Sequence, residues 1–121
     1  MAAPNLVNVS TITAKSVQAA LTTTLTTEIL ANASSSGKVF KINNIIIANI
    51  DGSSAVDVSV FITKSGGSPI AIASTISTPA DATLVVVDKN TALYLEEGDN
   101  IEAGASAASD LVITINYEEL S

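Results

Sequence analysis

An all-β fold, an antiparallel β-sandwich of jelly-roll-like type with seven or eight strands and an extended N-terminal arm, is predicted here by three observations. Val56, Val58, Val60 and Ile62 alternate with Asp57, Ser59, Phe61 and Thr63, a period of two that sets four aliphatics on one face of a strand. Short β-branched runs follow one another at intervals of about 8–12 residues, separated by Gly, Asp, Asn, Pro or Ser, the spacing of a sandwich or barrel. The apolar bulk is Ile, Val, Leu and Ala with only four aromatics, Phe40, Phe61, Tyr94 and Tyr117, and such a thin aliphatic core suits one sheet packed on another.

Along the chain, residues 2–14 are extended in character: Pro4 opens the run, Leu6, Val7, Val9 and Ile12 offer apolar contacts, and no turn signal folds them back. They are read as an arm over residues 1–15, with Pro4, Leu6, Val7, Val9 and Ile12 as subunit or shell contacts, because an extended segment can add to a neighbouring sheet edge. A frayed tail or an ordinary first strand is the competing reading. A single sandwich domain over 16–121 follows, since 121 residues fit one core. Thr-rich sequence after Ser16 argues against a helix and for strands near 16–22 and 26–32.

Lys38 to Ile50 reads as a long strand in which Phe40 and Ile42 keep one phase while Ile45, Ile46 and Ile47 run on without alternation. A bulge near Asn43-Asn44, or burial on both faces, reconciles the two. The strand from Val56 is bounded by Asp51-Gly52-Ser53-Ser54 and Ser65-Gly66-Gly67-Ser68-Pro69, turn clusters that imply antiparallel neighbours. Further strands are expected over 70–78, 83–88, 92–95, 100–105 and 110–117. The expected core is Val56, Val58, Val60, Ile62, Ile70, Ile72, Leu84, Val86, Ile101, Leu111, Ile113 and Ile115, and the run Leu84 to Val87 is read as buried strand.

The chain contains no His, Cys, Trp or Arg, and this absence removes most catalytic and metal chemistry. Net charge is −7, and residues 81–121 hold nine of the twelve acids with Lys89 alone against them. Without Arg or a basic cluster, neither nucleic acid nor an anionic membrane is an expected partner. No apolar stretch is long enough to span a bilayer, and Met1-Ala2-Ala3-Pro4-Asn5 lacks the character of a signal peptide, so synthesis and assembly in the cytoplasm are expected.

Candidate chemistry is sparse. Leu95-Glu96-Glu97-Gly98-Asp99-Asn100-Ile101 reads as a strand corner in which Gly98 takes positive φ and Asp99 bonds backbone amides. Glu96, Glu97, Asp99, Glu102 and Asp110 could supply oxygens to a cation, but the spacing matches no calcium loop. Ser35-Ser36-Gly37-Lys38 formally matches Ser-x-x-Lys, yet lies in a predicted turn without the partner motifs of that chemistry. No catalytic residue, cofactor or metal is therefore assigned, and the protein is expected not to be an enzyme.

The opening Met1-Ala2-Ala3-Pro4-Asn5-Leu6-Val7-Asn8-Val9, the middle Gly37-Lys38-Val39-Phe40-Lys41-Ile42-Asn43, and the close from Tyr94-Leu95-Glu96-Glu97-Gly98-Asp99 through Ser106-Ala107-Ala108 to Tyr117-Glu118-Glu119 carry a resemblance. Over nearly its full length the chain resembles a family of small virion structural proteins of tailed bacteriophages, especially phages of aquatic bacteria. The resemblance implies a non-enzymatic sandwich subunit that forms a homo-oligomer on the outer capsid surface as a decoration or cement protein, with the major capsid protein or other virion proteins as partners. A trimer is the order that common shell geometry suggests, and the acidic C-terminal third is expected to face solvent. The alternative is a neck, tail or fibre-tip module that binds a receptor, which calls for aromatic residues exposed together.

Overall fold

The computed structural model describes residues 7–91 and 93–121. Among the described residues nine strands run in the order β1 (Ile12–Ala20), β2 (Thr27–Ala31), β3 (Val39–Asn49), β4 (Val56–Thr63), β5 (Ile70–Thr78), β6 (Thr83–Val87), β7 (Leu93–Leu95), β8 (Asn100–Ala105) and β9 (Leu111–Leu120), with a 3-10 turn at Lys89–Thr91. One sheet has the order β1-β9-β3-β6, with β7 also paired to β3, and the other has the order β2-β8-β4-β5. Every pairing is antiparallel, so the architecture is the expected sandwich. The nine strands match the nine segments expected one by one, although the expected total is seven or eight, and three-residue β7 pairs with β3 from Phe40 with Leu95 through Ile42 with Leu93.

Period-two burial builds the core from both sheets. Val56, Val58 and Val60 of β4 and Ile101 and Ala103 of β8 face Ile42, Ile45 and Ile47 of β3 and Leu111, Ile113 and Ile115 of β9, all buried. The isoleucine run in β3 is resolved by irregular pairing. Between Ile42 and Asn44 the register against β9 shifts, and the extra residue, Asn43, lets Phe40 and Ile42 share the inward face with Ile45 and Ile47. Ile46 consequently points outward, half-buried.

Three expectations need correction. Ile70 and Ile72 are exposed rather than core, because β5 is the outermost strand of its sheet. Leu84 and Val86 pack only partly against the core, and Val85 is exposed, because β6 is likewise an edge and its register against β3 slips between Ile45 and Ile46. The first strand begins at Ile12 and pairs with β9 from Ile12 opposite Leu120 to Ala20 opposite Val112, so residues 12–15 belong to a sheet. Its long, even ladder continues into Ser10 and Thr11, whose N–H groups both donate to the carbonyl of Ser121.

Few buried groups are polar, and most of them tie strand ends together. Asn49, at the end of β3, donates through Nδ2 to the carbonyls of Ser54 (3.0 Å) and Thr78 (2.9 Å), linking β3 of one sheet to the end of β5 in the other. Asn32, just after β2, donates to the carbonyls of Lys38 (2.8 Å) and Leu95 (3.1 Å) and accepts from Ser36 Oγ (2.6 Å). Each buried amide thereby satisfies carbonyls that strand termini leave unpaired.

Candidate functional site

The acidic corner is built on Asp99, whose carboxylate is buried. Leu95 ends β7, the chain turns through Gly98 at φ 86°, and Asp99 folds back so that Oδ2 accepts the Glu96 N–H (2.9 Å). Oδ1 accepts the Ser65 N–H (3.0 Å) from the turn after β4. Lys64 Nζ closes the cluster by donating to Asp99 Oδ2 and to Glu96 Oε2 (2.9 Å). Burial alone would push the Asp99 carboxyl up, but the Lys64 ammonium and the two backbone donors together outweigh it and hold the group below the ordinary Asp value. The bond from Asp99, followed by that from Glu96, raises Lys64 above its ordinary value.

This arrangement is a staple joining turns, and its acids are separately engaged. Glu97 accepts the Gly37 N–H (2.9 Å) and Glu102 accepts from Thr63 Oγ1 (2.7 Å). Among the described residues no three His, Cys, Asp or Glu side chains converge as a metal-holding group. The Ser-x-x-Lys match is also committed elsewhere. Ser36 Oγ bonds Asn32, and Lys38 Nζ donates to Glu119 Oε1 (3.1 Å). Glu119 receives Lys15 as well (3.4 Å), and although burial would raise its carboxyl, these two lysines bring it below the ordinary Glu value. Asp99 and Glu119 thus depart from the expectation that the acidic third faces solvent.

Among the hollows on the surface of the described residues, two border these elements. One, of about 360 Å³, lies at the β3 bulge between Lys15, Asn43, Asn116 and Tyr117. The other, of about 280 Å³, lies between Thr23, Leu25, Asp57, Ser59, Thr75 and Ser106. It exists because the segment between β1 and β2 crosses the sheet at Gly104, where a Cβ would sit 2.4 Å from Leu25 Cα and 2.6 Å from the Thr24 carbonyl oxygen. Of the charged groups lining them, the first hollow has Lys15, already on Glu119 (3.4 Å), and the second has Asp57.

The residues expected to make contacts are placed as follows. Val7 is 87% exposed, Val9 is half-buried and Ile12 is exposed at the start of β1, while Pro4 and Leu6 lie outside the described residues. Ile12 is therefore a sheet residue with an outward apolar side chain, and only Val7 and Val9 of the described set precede the sheet. The aromatics form no exposed platform. Phe40 and Tyr117 are buried against each other with centroids 5.1 Å apart, leaving Tyr94 as the one aromatic among the exposed large side chains of the described residues.

Sequence reasoning missed a larger apolar surface. Ile70, Ile72 and Ile76 of β5 are exposed at the edge where both sheets end, and Val85 of the neighbouring edge strand β6 is exposed on the outer face of its sheet, opposite outward Ile46. The signal lay in the charge pattern, since Asp81 is the only charged residue from Ser65 to Val87. Edge strands exposed to water normally carry charge. Comparison of the sequence with protein-family models and with curated proteins gave no match.

Proposed function

We propose that this chain is a non-enzymatic structural protein of a bacteriophage virion, a decoration or cement subunit on the outer capsid surface that works by burying its own apolar surface. The observation that carries the reading is the set of exposed aliphatics, Val7 and Ile12 at the N-terminal side and Ile70, Ile72, Ile76 and Val85 on the β5–β6 side, on a chain lacking His, Cys and Arg. Large aliphatics exposed in groups mark interaction surfaces. The resemblance to small virion proteins supplies the setting. The sheet orders β1-β9-β3-β6 and β2-β8-β4-β5, with β1 to β4 alternating between the sheets and β4 paired to β5, support a jelly-roll-like description, a fold that serves many functions and so decides none by itself.

In this proposal the partners are further copies of the chain and the major capsid protein, and the residues before β1 make shell contacts through Pro4, Leu6, Val7 and Val9, with Ile12 beside them. Quantitative mass spectrometry of purified particles tests it. Copy numbers near that of the major shell protein are expected. A few copies per particle would move the protein to the neck, tail or fibre, and absence from particles would overturn the virion reading. Deleting residues 2–9, which spares the bonds from Ser10 and Thr11 to Ser121, is expected to leave the fold intact and weaken retention on particles. Unchanged retention would refute the contact role of this segment.

A further inference from the structure

The β5–β6 side is an unfinished piece of core. Ile70 and Ile76 stand opposite Ile62 and Val58 in register, and therefore on the inward side of their sheet. Val58 is fully buried, yet Ile70 is 68% and Ile76 40% exposed, with bulged Ile72 at 39%. β5 is the last strand of its sheet, so no neighbouring strand flanks these side chains beyond it, and the opposing edge is divided between β6 and three-residue β7, which meet different stretches of β3.

The same strand resists pairing through its backbone. Its register against β4 slips twice, between Val58 and Val60 and between Val60 and Phe61. Thr75 adopts φ 53° and turns its N–H to Ser59 Oγ (3.0 Å). Bulges of this kind bend an edge and block strand addition. What remains available is side-chain burial, on a strip with no charge from Ser65 to Ala80.

We infer that two copies of this chain pack their β5–β6 sides against each other about a two-fold axis. A second copy presents the same uncharged β5 strip, with exposed Asp81 beyond its end, so contact along β5 buries no unpaired charge and is where two chains of net charge −7 repel least. A basic partner would find no carboxylate along β5, and an acidic one no lysine. The side measures about 30 Å along β5 and about 20 Å across two sheets with their side chains, or about 600 Å², close to the roughly 800 Å² per partner of a standard interface. Contact of one strip with itself is isologous and closes at two copies. The inference deepens the proposed burial function, but its test uses the free chain and does not depend on where the chain resides in a particle.

Sedimentation equilibrium of the purified full chain across the micromolar range is the experiment, with Ile70→Lys and Ile76→Lys as variants and Thr13→Lys, exposed on β1 at the opposite edge of the sheet from β6, as control. A wild-type dimer is expected. Each variant places its lysine in the contact twice, and is expected to raise the dissociation constant about a hundredfold with an unchanged circular dichroism spectrum. Ile70, the more exposed of the pair, keeps the test valid if Ile76→Lys unfolds. A wild-type monomer would overturn the inference and leave the strip to a foreign partner. A trimer would overturn the two-fold contact, as would variants that dissociate no more readily than Thr13→Lys.

Discussion

Replacing Asp99 by Ala separates a backbone staple from an ion pair. The substitution removes the acceptor of two N–H groups, those of Glu96 and Ser65, in a corner where the carboxylate is buried, and it takes one partner from Lys64. A buried donor left unsatisfied costs about 1–3 kcal/mol, so two that water reaches only in part give a loss of about 2–4 kcal/mol. For 121 residues, an unfolding entropy near 2.1 cal/mol/K per residue makes each kcal/mol worth about 4 °C, and the expected fall in melting temperature is about 8–16 °C. Glu96→Ala removes the other partner of Lys64, but that pair is exposed on both sides and its loss is expected to cost under about 0.5 kcal/mol, or about 2 °C. Lys64→Met leaves both backbone bonds in place and should fall between the two. Thermal denaturation followed by circular dichroism reads all three. Equal losses for Asp99→Ala and Glu96→Ala, or a Lys64→Met loss as large as that of Asp99→Ala, would refute the argument that backbone capping carries the stability.

Gly104→Ala forces its Cβ into the backbone of Thr24 and Leu25, and a loss of about 1–3 kcal/mol by chemical denaturation is expected. A neutral result would mean that the crossing segment is free to lift. With respect to pH, Asp99 and Glu119 have depressed folded values, so their contribution is complete above the unfolded carboxylate range of about 4 and is lost as pH falls through the depressed values. Lys64 is raised, so its contribution is complete below about 10.4 and is lost as pH climbs through the raised value. With no His or Cys, the melting temperature is expected to plateau between about pH 5 and 9, and a midpoint near neutrality would contradict this assignment. Ile113→Ala empties a fully buried position and is expected to cost about 2–5 kcal/mol in the same melts.

Alternation and turn chemistry in the sequence were enough to locate β4, β5 and β8, because period-two burial and Gly, Asp and Pro punctuation are local properties. The bulge at Asn43 was legible for a similar reason: the isoleucine run breaks phase there, and only an added residue restores it. The Gly98–Asp99 corner could also be read, since both its positive φ and its amide bonding depend on neighbours within a few residues. Lys64 as the partner of Asp99 could not, being 35 residues distant along the chain and joined only when β4 and β8 pair.

The placement of Ile70 and Ile72 shows the same division. Their β-branched, alternating pattern specifies a strand with an apolar face, and the sequence alone determines that much. Whether that face is covered depends on which strands become edges, and here β5 ends its sheet opposite an edge divided between β6 and β7. The sequence therefore determined the strands, their inward faces and the scarcity of catalytic groups. Tertiary structure alone decided which inward residues remain in water, because burial depends on the strands that the whole chain brings opposite one another.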